Sequence, residues 1–443
     1  MNSPASQAHT DESKGSFLKQ PRAVWAVAFA CVISFMGLGL VDPILTSIAK
    51  SLHATSGDVS LLFTSYLVVT AVAMLVTGWV SSRIGVKWTL ISGLAIIVVF
   101  SALGGLADLG FNAGLGHYWG GVGWIVAARA FWGLGNALFI ATSLATIVSL
   151  SAGSLKQAIL LYESALGIGI GLGPIVGGQL GQNISWRGPF FGVAVLMAIG
   201  LVATLFFLPA TPKPETKTRI ADPIKALRYP GLLVVAVVAL FYNYGMFTLL
   251  AVAPYPLALG STHFGASDTG WVFFGWGMCL AFTSIWGATW LEKRVGTFVS
   301  IVIALVGFAA CIALMGVFSN GSTTVGMNGG QPWGVVVCVV LTGLFLGITN
   351  TVITTLVMGA APVPRPVASA AYSFVRFFGG AVGAYVSGRI AEHSFKGTFW
   401  LGAGIVLVAL VVLTVFRKAV GSAPAPAHGS AEEAEVLETA DAD

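Results

Sequence analysis

Long apolar stretches dominate the chain, and short segments between them carry most of its charged residues. A helix that crosses the hydrocarbon core of a bilayer needs about 20 mostly apolar residues. Apolar stretches bounded by polar, Gly or Pro breaks predict twelve transmembrane helices, which we number spans 1 to 12. Their predicted ranges are 23–48, 59–80, 88–107, 120–149, 157–182, 187–208, 231–260, 269–290, 297–318, 333–361, 367–391 and 397–416.

The composition makes lipid the solvent for most of the protein surface. Hydrophobic residues form 56% of the 443 residues and charged residues only 9%. A soluble domain has about 25% charged residues, so this composition excludes soluble enzymes and nucleic-acid-binding proteins. The 56 glycines favour closely packed transmembrane helices. The predicted fold class is therefore an all-α polytopic membrane protein.

The basic residues predict the orientation, because cytoplasmic loops are enriched in Lys and Arg. With a cytoplasmic N-terminus, the inner segments hold sixteen Lys or Arg residues and the outer loops hold four. Those four are Lys50, Arg187, Arg389 and Lys396. Both termini are therefore predicted to be cytoplasmic, and the protein is expected in the cell membrane.

An internal repeat divides the chain into two halves. A shift of 210 residues aligns His53 with His263 and Asp58 with Asp268, and each Asp is placed to cap a helix N-terminus. The same shift, or one of 211, aligns further residues of the halves: Tyr162 with Tyr372, Gly169 with Gly379, Gly173 with Gly383, Gly178 with Gly388, Trp79 with Trp290, Arg83 with Arg294 and Gly85 with Gly296. Six spans per repeat make the halves parallel and pseudo-symmetric, which is typical of alternating-access transporters with a site between the halves.

The repeat and the charged segments predict five regions. These are a cytoplasmic tail (1–21), an N-terminal six-helix half (22–208), a cytoplasmic linker (209–230), a C-terminal six-helix half (231–418) and an acidic tail (419–443). The last region carries six acidic residues and no Lys or Arg, so it is expected to be disordered and cytoplasmic.

The loop after span 2 contains a glycine-rich basic motif, with Gly78, Arg83, Gly85 and Lys87 at the spacing G-x-x-x-D-R-x-G-x-K/R. It resembles the cytoplasmic signature of the major facilitator superfamily, except that Ser82 replaces the Asp that latches the loop to the opposite half in that family. From the residues alone, this basic turn is expected to bind helix C-terminal carbonyls and anionic lipid headgroups.

Span 4 contains an arginine within an otherwise apolar helix, in the sequence Arg129-Ala-Phe-Trp-Gly-Leu-Gly. It resembles the R-x-x-x-G-x-G motif of the same superfamily, whose Arg is associated with proton coupling. The alternative is an Arg at the interface that snorkels to the outer headgroups.

Span 5 contains the sequence Gly169-Ile-Gly-Leu-Gly173-Pro174-Ile-Val-Gly177-Gly178. It resembles the antiporter motif of proton-coupled exporters in this superfamily, although Leu160 replaces the first Gly of that pattern. Glycines four residues apart allow close helix contact, and proline creates a bend point. The alternative is a general packing motif.

Together these motifs resemble those of twelve-span drug:proton antiporters, over residues 22–418. The resemblance implies the major facilitator fold and a conformational role for nine motif residues. These are Gly78, Arg83, Gly85, Lys87, Gly169, Gly173, Pro174, Gly177 and Gly178.

Four charged residues remain inside the predicted spans: Asp42, Arg129, Glu163 and Arg376. Their depths suggest that Asp42 could meet Arg129 in the outer half and that Glu163 could approach Arg376. Burial favours the neutral form of a carboxylic acid and a nearby guanidinium favours its ionised form, so relative movement changes proton affinity. We hypothesise that Asp42 or Glu163 carries the proton and that Arg129 modulates it. Alternatively, Asp42-Pro43 marks the end of span 1 and Glu163 lies at the inner mouth.

Aromatic and amide residues in the central spans are candidates for a substrate cavity. The set comprises Tyr66, Trp132, Asn136, Phe139, Tyr162, Tyr242, Asn243, Tyr244, Trp271, Phe274, Trp276, Asn350, Phe374 and Phe378. Aromatic walls with few charges suit lipophilic or amphipathic molecules. Each of these side chains could instead face lipid or the helix core.

The predicted function is proton-coupled efflux of drug-like compounds by a monomer, with substrate, protons and membrane lipids as partners. The alternative is export or uniport of a small metabolite such as a sugar. No enzymatic activity, metal or cofactor is expected, since no convergent catalytic groups, His-x-x-x-His spacing or phosphate-binding loop occurs in the sequence.

Overall fold

A computed structural model describes residues 20–108, 121–151, 155–209, 219–327, 330–363 and 365–421. It contains a long helix at each of the twelve predicted positions. These helices are Arg22–Gly39, Ser56–Ile84, Val86–Gly105, Val122–Leu150, Leu155–Asn183, Gly188–Phe207, Pro230–Val252, Ala266–Val295, Thr297–Phe318, Pro332–Gly359, Arg365–Ala391 and Phe395–Val415. We keep the names spans 1 to 12 for them. The first predicted tail up to residue 19, most of the linker (210–218) and most of the acidic tail (422–443) lie outside the described residues.

Short elements connect the spans. They are a 3₁₀ turn (Asp42–Ile44), the helices Leu45–Ser51, Asp222–Ala226, Pro254–Leu259 and Arg417–Gly421, and the strands β1 (Gly321–Ser322) and β2 (Gly326–Met327). The two strands pair antiparallel as a small hairpin between spans 9 and 10.

Three spans differ from their predicted form. Span 1 ends at Gly39 instead of continuing to residue 48, and Pro43, which lacks a backbone N–H, lies in the 3₁₀ turn that follows. Span 7 is interrupted at Ala253, and the short helix Pro254–Leu259 continues it to the predicted end. Span 8 contains a π-helical segment, Thr283–Gly287, which divides it into two α-helical parts.

Nine helices in the described residues are long and apolar enough to cross a membrane by themselves. The other three are span 1, which is short, and spans 5 and 11, which carry many glycines as well as charged residues. Spans 1, 5 and 11 all take part in the helix pairs described below, so much of their surface contacts protein instead of lipid. The chain is therefore a multi-pass, all-helical membrane protein.

The backbone repeats the features that the sequence repeat predicts. His53 and His263 both have a positive φ, at 48° and 46°, and Gly85 and Gly296 have φ values of 89° and 82°. Asp58 accepts a hydrogen bond from the backbone N–H of Thr55 at 3.2 Å, and Asp268 accepts the equivalent bond from Gly265 at 2.9 Å. Both Asp residues therefore cap their helices as predicted, from the third helical position.

Helix packing follows the same two-fold pattern. In the N-terminal half, span 1 packs on span 5, span 2 on span 4, and span 3 on spans 4 and 6. In the C-terminal half, span 7 packs on span 11, span 8 on span 10, and span 9 on spans 10 and 12. The halves meet through two equivalent pairs, span 2 with span 11 and span 5 with span 8. The fold is thus two pseudo-symmetric six-helix halves.

Candidate functional site

Arg129 lies fully buried in the N-terminal half. Its Nη1 donates to the carbonyl oxygen of Gly37 at 3.3 Å and its Nε to that of Leu62 at 3.5 Å. The guanidinium carbon lies 4.6 Å from the centre of the Tyr66 ring and 4.7 Å from that of the Trp132 ring. Aromatic faces and carbonyl oxygens stabilise a cation away from water. This enclosure argues against an interfacial, snorkelling Arg129.

The two acidic candidates are placed only by their backbones. Asp42 begins the 3₁₀ turn after span 1, and Glu163 lies in span 5. The position of Asp42 agrees with the alternative that it follows the end of span 1. Their side chains lie outside the described part of the structure, so the pairings with Arg129 and Arg376 stay predictions.

A buried hydrogen bond joins spans 1 and 4 within two helical turns of Arg129. The Ser34 hydroxyl donates to Asn136 Oδ1 at 2.5 Å, and both side chains are buried. Sequence reasoning named Asn136 but missed Ser34. Gly37, one turn after Ser34, leaves room for the Trp132 ring, since a Cβ there would lie 2.8 Å from that ring.

Arg376 belongs to a polar cluster in the C-terminal half. Its Nε donates to Asn243 Oδ1 at 3.3 Å, while Asn243 Nδ2 donates to the carbonyl oxygen of Ala239 at 3.0 Å. The neighbouring Tyr242 hydroxyl donates to Asn350 Oδ1 at 2.8 Å and lies 3.2 Å from the hydroxyl of Tyr372. The packing of spans 7, 10 and 11 thus connects three of the predicted cavity residues.

Tyr372 and Phe377 are the residues of this region that sequence reasoning missed as cavity candidates. Tyr372 is the repeat partner of Tyr162, and that match could have identified it. Phe377 packs against the small apolar cluster of Ala73, Met74 and Ala137 from spans 2 and 4, so it links the two halves beside Arg376. It lies between Arg376 and Phe378, which were both candidates, but no pattern in the sequence distinguished Phe377 itself.

The structure separates the remaining aromatic candidates by their exposure. Phe139 is fully buried where span 4 packs on Gly93 of span 3, and Tyr162 is buried with its ring 5.8 Å from that of Phe35. Tyr244 and Trp276 are also buried. The partly or largely exposed candidates are Trp271, Phe274, Asn350, Phe374 and Phe378. The first group forms helix packing, and the second retains surface for a ligand or lipid.

The glycines of span 5 form two contact faces. A Cβ added at Gly169 or Gly173 would lie 2.5 Å from a backbone carbonyl oxygen of span 1, and Gly177 meets the carbonyl of Leu40 in the same way. Gly178 faces span 8, where a Cβ would lie 2.5 Å from the carbonyl oxygen of Ala266. Span 5 therefore packs against span 1 on one face and against span 8 of the opposite half on the other, with the helix backbones in close contact.

Pro174 lies between these two faces and contacts both neighbours. A Cβ added at Gly39 would lie 3.0 Å from Pro174 Cδ, and one added at Gly270 of span 8 would lie 2.5 Å from the Pro174 carbonyl oxygen. Span 11 repeats the pattern on span 7, where Gly383 meets the Tyr244 carbonyl.

The basic turn after span 2 contacts its own half. Lys87 donates a hydrogen bond to the carbonyl oxygen of Leu208, at the C-terminal end of span 6. The Arg83 guanidinium lies 4.4 Å from the ring of Trp79, and Ser82 donates to the Trp79 carbonyl at 2.9 Å. Gly85 has a positive φ, which allows span 3 to begin directly after span 2 ends. Gly78 lies inside the span 2 helix.

Polar contacts join the two halves where span 2 begins and span 11 ends, which is the predicted outer end of the bundle. Arg389 lies 3.5 Å from Asp58 and 3.4 Å from Glu392. The Ser56 hydroxyl donates to the carbonyl oxygen of Gly388 at 3.1 Å. These outer-end contacts hold the halves together at that end.

Comparison with known proteins agrees with this architecture. The family model of the Major Facilitator Superfamily matches residues 27–326 and 236–439. The chain belongs to the major facilitator superfamily. It is therefore a membrane transporter for small molecules and not an enzyme.

Two curated relatives of this transporter are bacterial proteins. The multidrug efflux protein YfmO of Bacillus subtilis is 49% identical over 406 residues, which cover 91% of this chain and 96% of that protein. The tetracenomycin C resistance and export protein of Streptomyces glaucescens is 31% identical over 209 residues, which cover 45% of this chain and 36% of that protein.

Two solved structures share the fold. The nucleoside transporter NupG aligns with a TM-score of 0.71 and 12% identity, over 89% of this chain and 99% of its own. The human organic anion transporter MFSD10 aligns with a TM-score of 0.64 and 16% identity, over 88% of this chain and 99% of its own.

Proposed function

We propose that this transporter exports lipophilic or amphipathic drug-like compounds from the cytoplasm in exchange for protons. The observation that carries the proposal is the near full-length match to a protein named for multidrug efflux. The exposed aromatic candidates support it, because aromatic surface binds apolar molecules without directional hydrogen bonds. The transporter acts as a monomer in the cell membrane, with both termini in the cytoplasm.

The buried Arg129 supports the proton-coupled form of the proposal. A guanidinium held between aromatic rings keeps its charge, so a carboxyl group that moves toward or away from it changes its own proton affinity. Asp42 or Glu163 supplies that carboxyl group. Arg376, which is held by Asn243 in the C-terminal half, serves as the second fixed charge.

Neutralising the acids tests this proposal. Asp42→Asn and Glu163→Gln each remove one ionisable group, and we expect at least one variant to lose most of the transport that a pH gradient drives. The measurement is uptake of a lipophilic fluorescent dye into everted vesicles after an imposed pH gradient, with expression checked in the same vesicles.

A matched control is Asp268→Asn, since Asp268 only caps the exposed start of span 8. Undiminished gradient-driven uptake in both acid variants would contradict the proposal. Gradient-independent dye uptake by the unaltered protein would favour a uniporter, and sugar uptake without dye uptake would favour the metabolite carrier.

A further inference from the structure

A groove on the lipid-facing side of the N-terminal half lies apart from the central residues described above. It runs between the end of span 5 and the start of span 6 and has a volume of about 490 Å³. Its lining includes Leu180, Ile184, Arg187, Phe191 and Val195. We name it the Arg187 groove.

Two glycines of span 6 create the groove. Gly188 and Gly192 are one helical turn apart and present no side chain to span 5. A Cβ added at Gly188 would lie 2.9 Å from the carbonyl oxygen of Leu180, and one added at Gly192 would lie 2.9 Å from Leu180 Cδ1. The two helices therefore meet through backbone at Gly188, and at Gly192 the backbone of span 6 meets the Leu180 side chain, so a larger residue at 192 would occupy the groove.

The walls of the groove are apolar and face outward. Ile184 is 68% exposed and Val195 is 60% exposed, and Phe191 is also exposed. The groove lies between adjacent spans of one half and not between the two halves, so it opens to the bilayer. From Arg187 to Val195 the groove extends about 12 Å along the helix, so it can hold part of a lipid acyl chain.

The cationic side chain of Arg187 lies at one end of the groove. The Arg187 guanidinium stacks on Trp186, with 4.4 Å between its carbon and the ring centre, and Nη2 donates to the carbonyl oxygen of Ala107 at 3.0 Å. Its Nε is buried and has no hydrogen-bond partner among the described residues. The side chain as a whole is only half-buried, so its guanidinium can also contact an anionic oxygen at the membrane surface, where a charge-assisted hydrogen bond is strong.

The position of Arg187 matches the depth of lipid headgroups. It lies in the turn between two spans, at the predicted outer end, while the apolar lining continues into span 6. Two of the three other basic residues at that end have partners of their own: Arg389 pairs with Asp58 and Glu392, and Lys396 lies 4.5 Å from the centre of the Trp400 ring. The third, Lys50, lies in the short helix Leu45–Ser51 and does not line the groove. Arg187 thus joins a cationic group to an apolar groove at the predicted outer end of this half.

We propose that the Arg187 groove binds one phospholipid of the outer leaflet. Its phosphate contacts Arg187, with the Ser185 hydroxyl beside it, and one acyl chain lies along Phe191 and Val195. The site is distinct from the proposed transport path, and the bound lipid fixes the outer end of span 5 against span 6.

Native mass spectrometry of the purified full-length protein tests this site, with phosphatidylglycerol as the probe. Arg187→Gln removes the charge and Gly192→Leu fills the groove. We expect one tightly bound lipid in the unaltered protein and about tenfold weaker binding in each variant, equal to about 1.4 kcal/mol. Thermal unfolding in detergent shows whether each variant remains folded.

Two matched controls carry the same chemical changes elsewhere. Lys396→Gln removes another basic residue from the predicted outer side, and Gly404→Leu adds bulk to a span 12 glycine whose Cβ position has no atom within 4 Å. Both are expected to retain the lipid. Equal lipid binding by all five proteins would overturn the proposal, as would displacement of the lipid by the transported dye or by glycerol phosphate alone.

Discussion

At the scale of single residues, the enclosure of Arg129 is the feature that most constrains the mechanism. A charge in the membrane interior is tolerated only with compensating contacts, and here two carbonyl oxygens and two ring faces provide them. A desolvated cation–π contact contributes about 2 kcal/mol. The arrangement fixes the position of the charge, which a modulator of proton affinity requires.

The Arg129→Lys variant tests whether this fixed geometry matters for coupling. Lysine keeps the charge but loses the planar group that stacks between Tyr66 and Trp132. We expect the protein to fold, with gradient-driven dye transport reduced about tenfold or more, which corresponds to about 1.4 kcal/mol in the rate-limiting barrier. Transport in everted vesicles and thermal unfolding measure the two effects separately.

The same substitution at Arg83 is the control for stability. Arg83 also stacks on a tryptophan, but it is exposed at the end of span 2. Arg83→Lys is expected to leave the unfolding temperature unchanged. Transport at the unaltered level in Arg129→Lys would show that any buried cation suffices and would remove Arg129 from the coupling mechanism.

At the scale of elements, the glycines of span 5 decide how closely three helices approach. One face contacts the backbone of span 1, and the other contacts span 8 in the opposite half. Span 11 repeats this arrangement on spans 7 and 2. Both helix pairs that join the halves, span 5 with span 8 and span 2 with span 11, therefore depend on glycines that present no side chain. Such surfaces allow one half to move against the other without side chains interlocking.

Two alanine substitutions in span 5 test this interpretation. A Cβ at Gly173 would lie 2.5 Å from the Met36 carbonyl oxygen, whereas at Gly171 its nearest atom is Met278 Sδ at 3.8 Å. We expect Gly173→Ala to destabilise the protein by about 1–3 kcal/mol through overpacking. Gly171→Ala is expected to be neutral or slightly stabilising, because alanine favours helix by about 1 kcal/mol.

Thermal unfolding in one detergent compares the two variants directly. The variants share helix, residue type and depth, so a difference between them reports on packing alone. Equal unfolding temperatures would contradict the assignment of the two faces.

The elements also show what the sequence predicts and what it does not. Apolar stretches and the 210-residue shift predict all twelve helices and their pairing into halves, because these depend on local composition and repetition. The sequence leaves two alternatives for the end of span 1, and the structure agrees with a break near Asp42-Pro43. Hydropathy gives no sign of the π-helical segment of span 8.

The candidate site is less predictable than the fold. The Tyr242, Asn350 and Tyr372 cluster depends on the packing of three spans that are distant in sequence. Sequence reasoning found two of these residues and could have found Tyr372 through the repeat. Ser34 and Phe377 gain their positions only from tertiary contacts.

At the scale of the whole molecule, the fold provides two halves joined by two equivalent helix pairs. The outer-end contacts, Arg389 with Asp58 and Ser56 with Gly388, close one end of that interface. The exposed Arg389–Asp58 ion pair contributes only about 0–1 kcal/mol and the Ser56 hydrogen bond about 0.5–1.5 kcal/mol, so both can break during a transport cycle. Alternating access requires contacts of this kind, which close one end of the interface and still break when the halves move.

The central claim is that substrate export is coupled to proton movement. The most direct measurement uses the purified protein in proteoliposomes that contain a pH-sensitive dye, with equal pH on both sides at the start and a substrate gradient as the only driving force. The account predicts that substrate movement in one direction drives protons in the other, so that the lumenal pH changes and the change disappears with a protonophore. Substrate movement with no change in lumenal pH would contradict it.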